Sequence, residues 1–208
     1  MDLEQIFVET VTKSGRRYIV RLTDESEMNV PYSIFQRMPL TVGQAIDARA
    51  YSAALGKAEY KHALERAVRF LEVRSRSEHE ITMKLRQSGY APEAIAMTMQ
   101  TLTKHGFIKD AEFAVMYAHE SVRRRKGNQR IKSELRQKGI SDENIDSALS
   151  SIDENDTQNA CDLAIAKFLG TCREPDTMLK KRKATQAMLR RGYSFEQIKL
   201  SLAKLTEE

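Results

Sequence analysis

Ile81-Thr82-Met83-Lys84-Leu85-Arg86-Gln87-Ser88-Gly89-Tyr90 and Ile131-Lys132-Ser133-Glu134-Leu135-Arg136-Gln137-Lys138-Gly139-Ile140 carry one pattern twice, and the stretch from Ala184 to Tyr193 carries it a third time. Aligned on Gly89, Gly139 and Gly192, the copies share Leu85, Leu135 and Met188 four residues earlier and Tyr90, Ile140 and Tyr193 one residue later. The match continues through Glu93, Glu143 and Glu196, then Ile95, Ile145 and Ile198, then Met99, Leu149 and Leu202, and ends on Leu102, Ile152 and Leu205. Ile81 with Leu85, or Ile131 with Leu135, are i,i+4 pairs on one helix face, and the Gly ends that helix as its left-handed C′ residue. Ser141 and Ser194 then cap a second helix, the Glu column lies near its positive end, and the later apolar columns form one stripe. Residues 60–74, 110–125 and 157–169 leave room for a helix before each pair. The unit is therefore three helices long and recurs after 50 and then 53 residues. Such units bury their apolar faces against one another, so three tandem helix-turn-helix-like repeats stacked in an elongated curved body are expected.

The composition agrees with a mainly α chain. Of 208 residues 41% are hydrophobic and 30% charged, with nine Gly and four Pro, which excludes a disordered tail and a collagen-like fibre. The first 43 residues read differently. Residues 7–12 and 17–22 are β-branched and aromatic runs around a polar turn, a hairpin signal. Residues 28–30 add a third short strand before Pro31, and 32–38 read as a short helix between two prolines. From there, 44–54 and 57–74 read as helix, with a break at Gly56. The expected divisions are a β-rich extension over 1–43, a linker helix and first repeat over 44–109, a second repeat over 110–156 and a third over 157–208.

The net charge of +5 is modest, but its distribution is not even. Residues 120–139 hold eight cations against two acids, residues 141–162 hold seven acids and no cation, and the chain turns basic again at 180–183 and 190–191. No run approaches the ~18 apolar residues of a membrane span, and Met1-Asp2-Leu3-Glu4 has no signal-peptide character. A soluble cytoplasmic protein is expected. Cys161 and Cys172, ~16 Å apart along a helix, are beyond disulfide reach and read as free thiols. His62, His79, His105 and His119 lack metal-ligand spacing, and no phosphate-binding loop or nucleophile elbow occurs. No cofactor, no small-molecule substrate and no enzymatic chemistry are expected.

Three segments together carry a family signature: Phe70-Leu71-Glu72-Val73-Arg74-Ser75-Arg76-Ser77-Glu78-His79-Glu80-Ile81 through Gly89; Gly106-Phe107-Ile108-Lys109-Asp110-Ala111-Glu112-Phe113-Ala114 through Gly139-Ile140; and Arg190-Arg191-Gly192-Tyr193-Ser194. They resemble the RecX family, bacterial regulators of the RecA recombinase. The resemblance covers about residues 60–205. It implies tandem three-helix repeats, no catalysis, and binding along the RecA–DNA filament that restrains strand exchange, ATP hydrolysis and repressor self-cleavage in the SOS response. In the third unit, Ala184 stands where the others have Ile81 and Ile131, and Leu189 where they have Arg86 and Arg136.

The candidate contact residues are Arg123, Arg124, Arg125, Lys126, Arg130, Lys132 and Arg136 in the middle repeat, Arg74 and Arg76 in the first, and Arg182, Arg190 and Arg191 in the third. Taken alone, the Arg123–Lys126 run suits a helix end with Gly127 as its C′ residue. Lys132 and Arg136 on one face of the next helix extend it into a basic stripe. Arg74 and Arg76 read first as helix-end charges beside a Ser77/Glu80 capping box. Tyr90, Tyr193, Phe107, Phe113 and Phe195 read as core residues before stacking platforms. The expected partners are the RecA filament and, weakly, single- or double-stranded DNA, engaged by a monomer with no membrane association. The alternative is a plain nucleic-acid module that grips phosphates without a recombinase.

Overall fold

The computed structural model describes residues 5–204, which form three strands and ten helices. β1 (Val8–Ser14), β2 (Arg17–Leu22) and β3 (Glu27–Pro31) make one antiparallel sheet in that order. Alternation places Val8, Val20, Leu22 and Val30 on its buried face, as period-two side-chain geometry requires. Pro31 ends β3 and opens α1 (Tyr32–Phe35), which is shorter than the sequence suggests.

The long helix α2 (Ala48–Val73) starts later than expected and runs unbroken through Gly56. Asp47 sets its start by accepting a hydrogen bond from Ala50 N, while residues 44–46 lie alongside β1, with Val8 N donating to Gln44 O and Ile46 N to Ile6 O. One glycine inside a helix costs about 1 kcal/mol. Packing offsets that: Leu55 closes the core under the sheet, and Ala63 and Ala67 are fully buried in the next one.

The described residues divide into two compact units between Ile108 and Lys109. In the first, the sheet covers the early turns of α2, and the later turns pack with α3 (Glu78–Gln87) and α4 (Pro92–Lys104) around Ile81, Leu85, Ile95, Met99 and Leu102. In the second, α5 (Asp110–Arg123), α6 (Asn128–Gln137) and α7 (Asp142–Ser150) build one three-helix core. α8 (Glu154–Thr171), α9 (Thr177–Arg190) and α10 (Phe195–Lys204) build another. The three-helix repeats are thus present as the columns imply. Ile81, Ile131 and Ala184, then Leu85, Leu135 and Met188, then Ile95, Ile145 and Ile198 are all buried, whereas Glu93, Glu143 and Glu196 are exposed. Leu205 and the opening Met1–Glu4 stretch lie outside the described residues. Phe107 and Phe195 depart from the expected packing, standing 59% and 65% exposed, because each follows a turn before its helix begins to bury a face.

Glycine fills the C′ position after α3, α6 and α9, with φ of 86°, 77° and 87° at Gly89, Gly139 and Gly192. The hydrogen bonds of a Schellman close surround each: Tyr90 N to Leu85 O, Ile140 N to Leu135 O, Tyr193 N to Met188 O. α5 ends on the same bonds, Arg125 N to Val122 O and Lys126 N to Ser121 O. Here the left-handed residue is Arg125, φ 57°, and Gly127 is instead the N-cap of α6 at φ −82°. The sequence expectation for Gly127 is therefore corrected, and its reason for being glycine is space. A Cβ on Gly127 would overlap the backbone of Gly192 and Tyr193, and one on Gly192 would overlap Arg130. The two loops cross in contact, tied by Gly127 N to Arg191 O and Gln129 N to Gly192 O.

Candidate functional site

The cations of residues 120–139 separate into two groups. Those on or beside α6 are engaged internally. Lys126 Nζ lies 2.6 Å from Glu134 Oε2 and Arg130 Nε lies 3.0 Å from Glu134 Oε1. Lys132 Nζ meets Asp146 at 2.7 Å and Arg136 Nε meets Asp142 at 2.8 Å. Tyr117 OH also donates to Glu134 Oε2, at 2.8 Å. Burial pushes the Glu134 carboxyl up, but the donors from Lys126, Arg130 and Tyr117 outweigh it and hold the group at about 2. The free basic stripe expected on α6 is thus a set of ion pairs with α7 and with α6 itself. The acidic block of residues 141–162 folds back onto the basic block before it.

The second group stands at the end of α5. Arg123 and Arg125, with Lys167 of α8 and Arg191 after α9, surround a cleft of about 380 Å³ floored by Ala164, Phe168 and Met188. No acid lines it. Arg124 also reaches the cleft but pairs with Glu120 at 2.9 Å. The Gly127–Gly192 crossing is what brings this cleft together, because it sets the end of α9 against the end of α5. Arg191 Nη1 donates to the carbonyl of Arg125 at 3.4 Å, so two of the cations are positioned through one backbone junction. Lys167 is the residue that sequence reading misses, and a lone cation after the acidic stretch of α8 gives no periodic signal.

The remaining candidates are placed elsewhere. Arg182 and Arg190 are exposed on α9, outside the cleft lining. In the first unit, Arg74 is held by Glu80 at 3.0 Å, and Ser77 Oγ caps α3 by accepting from Glu80 N. Arg76 donates to Phe70 O, and its guanidinium lies 5.8 Å from the Phe70 ring centre. Both therefore serve the α2–α3 junction, as the helix-end reading expects. His62 accepts or donates at 2.6 Å to Tyr90 OH, a packing role. Cys161 is buried, its thiol pushed up by burial, and Cys172 is half-buried; both are free. Among the described residues no helix is long and apolar enough to cross a membrane.

Comparison with known proteins matches this architecture repeat by repeat. The RecX first three-helix domain matches residues 63–102, the second 110–149 and the third 153–200. The regulatory protein RecX of Clostridium acetobutylicum is 29% identical over 205 residues, covering 97% of this chain and 95% of that one. That of Cronobacter sakazakii is 34% identical over 152 residues, 68% of this chain and 91% of that one. A crystal structure of a regulatory protein RecX shares the fold with a TM-score of 0.69 at 21% identity, covering 95% of this chain and 99% of the other. That of RecX from Lactobacillus salivarius does so at 0.65 and 22%, covering 73% and 99%.

Proposed function

This chain belongs to the RecX family, and from that membership we propose that it is a non-enzymatic regulator that binds the RecA–DNA filament and restrains recombinase activity. The observation that carries the reading to particular residues is the acid-free cleft of Arg123, Arg125, Lys167 and Arg191. Cations gathered without counter-acids raise the local concentration of a polyanion and steer its encounter. A recombinase filament presents such a polyanion as DNA phosphate. The proposed contact surface lies at the junction of the second and third repeats, and the ion-paired face of α6 is not part of it.

The test is a titration of this protein against labelled DNA, bare and recombinase-coated, with strand exchange followed in parallel. Tighter binding to coated DNA and slowed exchange are expected. Equal affinity for bare and coated DNA with the recombinase unaffected would leave the plain nucleic-acid module as the function.

A further inference from the structure

Four of the cations around the α5–α8–α9 cleft, Arg123, Arg125, Lys167 and Arg191, share it with no acid, and the carboxylate of the neighbouring lining, Asp156, stands in a second cleft that Arg123 and Arg125 also border. Like charges held together without acids oppose folding, so stability gives no reason for the arrangement. The backbone at Arg125 points the same way. Glycine holds the left-handed position after α3, α6 and α9, but after α5 an arginine takes it at φ 57°, which side chains with a Cβ adopt at a cost. That conformation fixes the direction in which the Arg125 side chain leaves the helix end. The cleft floor is apolar, with the half-buried ring of Phe168 lying beside the buried Met188. A rim of guanidinium and ammonium groups over an aromatic floor is the pairing that single-stranded nucleic acid requires, with phosphates on the cations and a base against the ring. Carboxylates of a protein partner would use the rim but have no attraction to the negative face of the ring.

We propose that this cleft is a subsite for single-stranded nucleic acid, seating a nucleotide with its phosphates among Arg123, Arg125, Lys167 and Arg191 and its base on Phe168. The inference rests on the regulatory reading above and assigns the cleft to the strand within the filament, not to the recombinase.

The test uses the full chain and a fluorescent oligothymidylate followed by anisotropy across a salt series. Arg125→Gly, Lys167→Gln and the double variant should weaken binding stepwise, each lowering the slope of log affinity against log salt by ~0.7 per cation removed. Phe168→Leu should weaken binding while leaving that slope unchanged, since it removes a stack and no charge. Arg125→Gly carries its own folding control, because glycine suits φ 57° and the variant's melting temperature should not fall. A parent that fails to bind the oligonucleotide at low salt, or a folded double variant that binds it with the parent's affinity and slope, overturns the inference. A double variant that loses inhibition of strand exchange yet keeps its oligonucleotide affinity assigns the cleft to the recombinase, which overturns this subsite and leaves the regulatory function standing. Lost oligonucleotide binding with unchanged inhibition overturns the assignment to the strand within the filament and leaves the regulatory function standing.

Discussion

At the scale of single residues, the C′ role that sequence assigns to Gly127 falls to Arg125, and Gly127 caps the start of α6 instead. Gly127 reads as the C′ residue because glycine is the common left-handed cap. The distinction from a glycine needed for space depends on Gly192, which is 65 residues away in the chain and crosses it in the fold. Arg125→Gly should therefore stabilise the protein by up to about 1 kcal/mol, the usual relief of a non-glycine residue in this region. Gly127→Ala should destabilise it by more than that, because its Cβ would meet backbone, which cannot move aside as a flexible side chain can. Chemical denaturation of both variants reads the two signs. Glu134 gives a pH-dependent counterpart. Its carboxyl falls from an ordinary 4.5 to about 2 in the fold, so its stabilisation is complete above pH ~4.5 and is lost as pH falls through about 2. A shift of this size corresponds to roughly 3 kcal/mol at most. The stability gap between the parent and Glu134→Gln should narrow across that window in urea melts, and a gap independent of pH would show that Glu134 is not the group responsible.

At the scale of elements, the repeats were legible because helix periodicity, the C′ glycine and the serine caps all point to the same boundaries. The pairing between helices was not. Lys132 and Asp146 are 14 residues apart and Arg136 and Asp142 six, so counting charge up to Gly139 reports a basic face that the α6–α7 turn folds onto its own acids. The sheet gives a similar lesson. Sequence marks its strands by alternation, but nothing local announces that Arg17 of β2 donates to Gly89 O and lies 3.6 Å from the buried Glu59 of α2. Arg16 adds a 2.9 Å bond to Gln87 O. These two arginines fasten the sheet over the end of α3, and Glu59 also accepts from Ala91 N. Burial pushes the Glu59 carboxyl up despite Ala91 and Arg17. Arg17→Met leaves that carboxylate buried without its cation, and a loss of about 3 kcal/mol is expected. Glu59→Gln keeps an acceptor for Ala91 and relieves the buried charge, so adding it to Arg17→Met should recover part of the loss. Thermal melts of the single and double variants form the cycle that checks this, and strict additivity would deny the coupling.

At the scale of the whole molecule, a net charge of +5 understates how unevenly the protein presents its charge. The cations on and beside α6 sit within 3.0 Å of carboxylates, so from a distance each pair is close to neutral, and steering is left to charges without a partner, which salt screens over ~8 Å. That distinction predicts a difference in rate between two sets of substitutions that remove the same formal charge. Removing Arg125 and Lys167 as Gly and Gln takes away two uncompensated charges and should slow association with DNA, most strongly at low salt, because steering acts on encounter. Removing Lys132 and Arg136 as Gln releases Asp142 and Asp146 at the same time. The net change in charge is again two, but it falls on a face whose new carboxylates repel the strand only locally, away from the cleft. Association to the cleft should then slow little, while exposed pairs of this kind change stability by under about 1 kcal/mol each. Stopped-flow association rates at low and physiological salt decide between the two. Equal slowing by both double variants would mean that net charge alone steers the encounter, and slowing confined to the Arg125/Lys167 variant would mean that the acid-free cleft does.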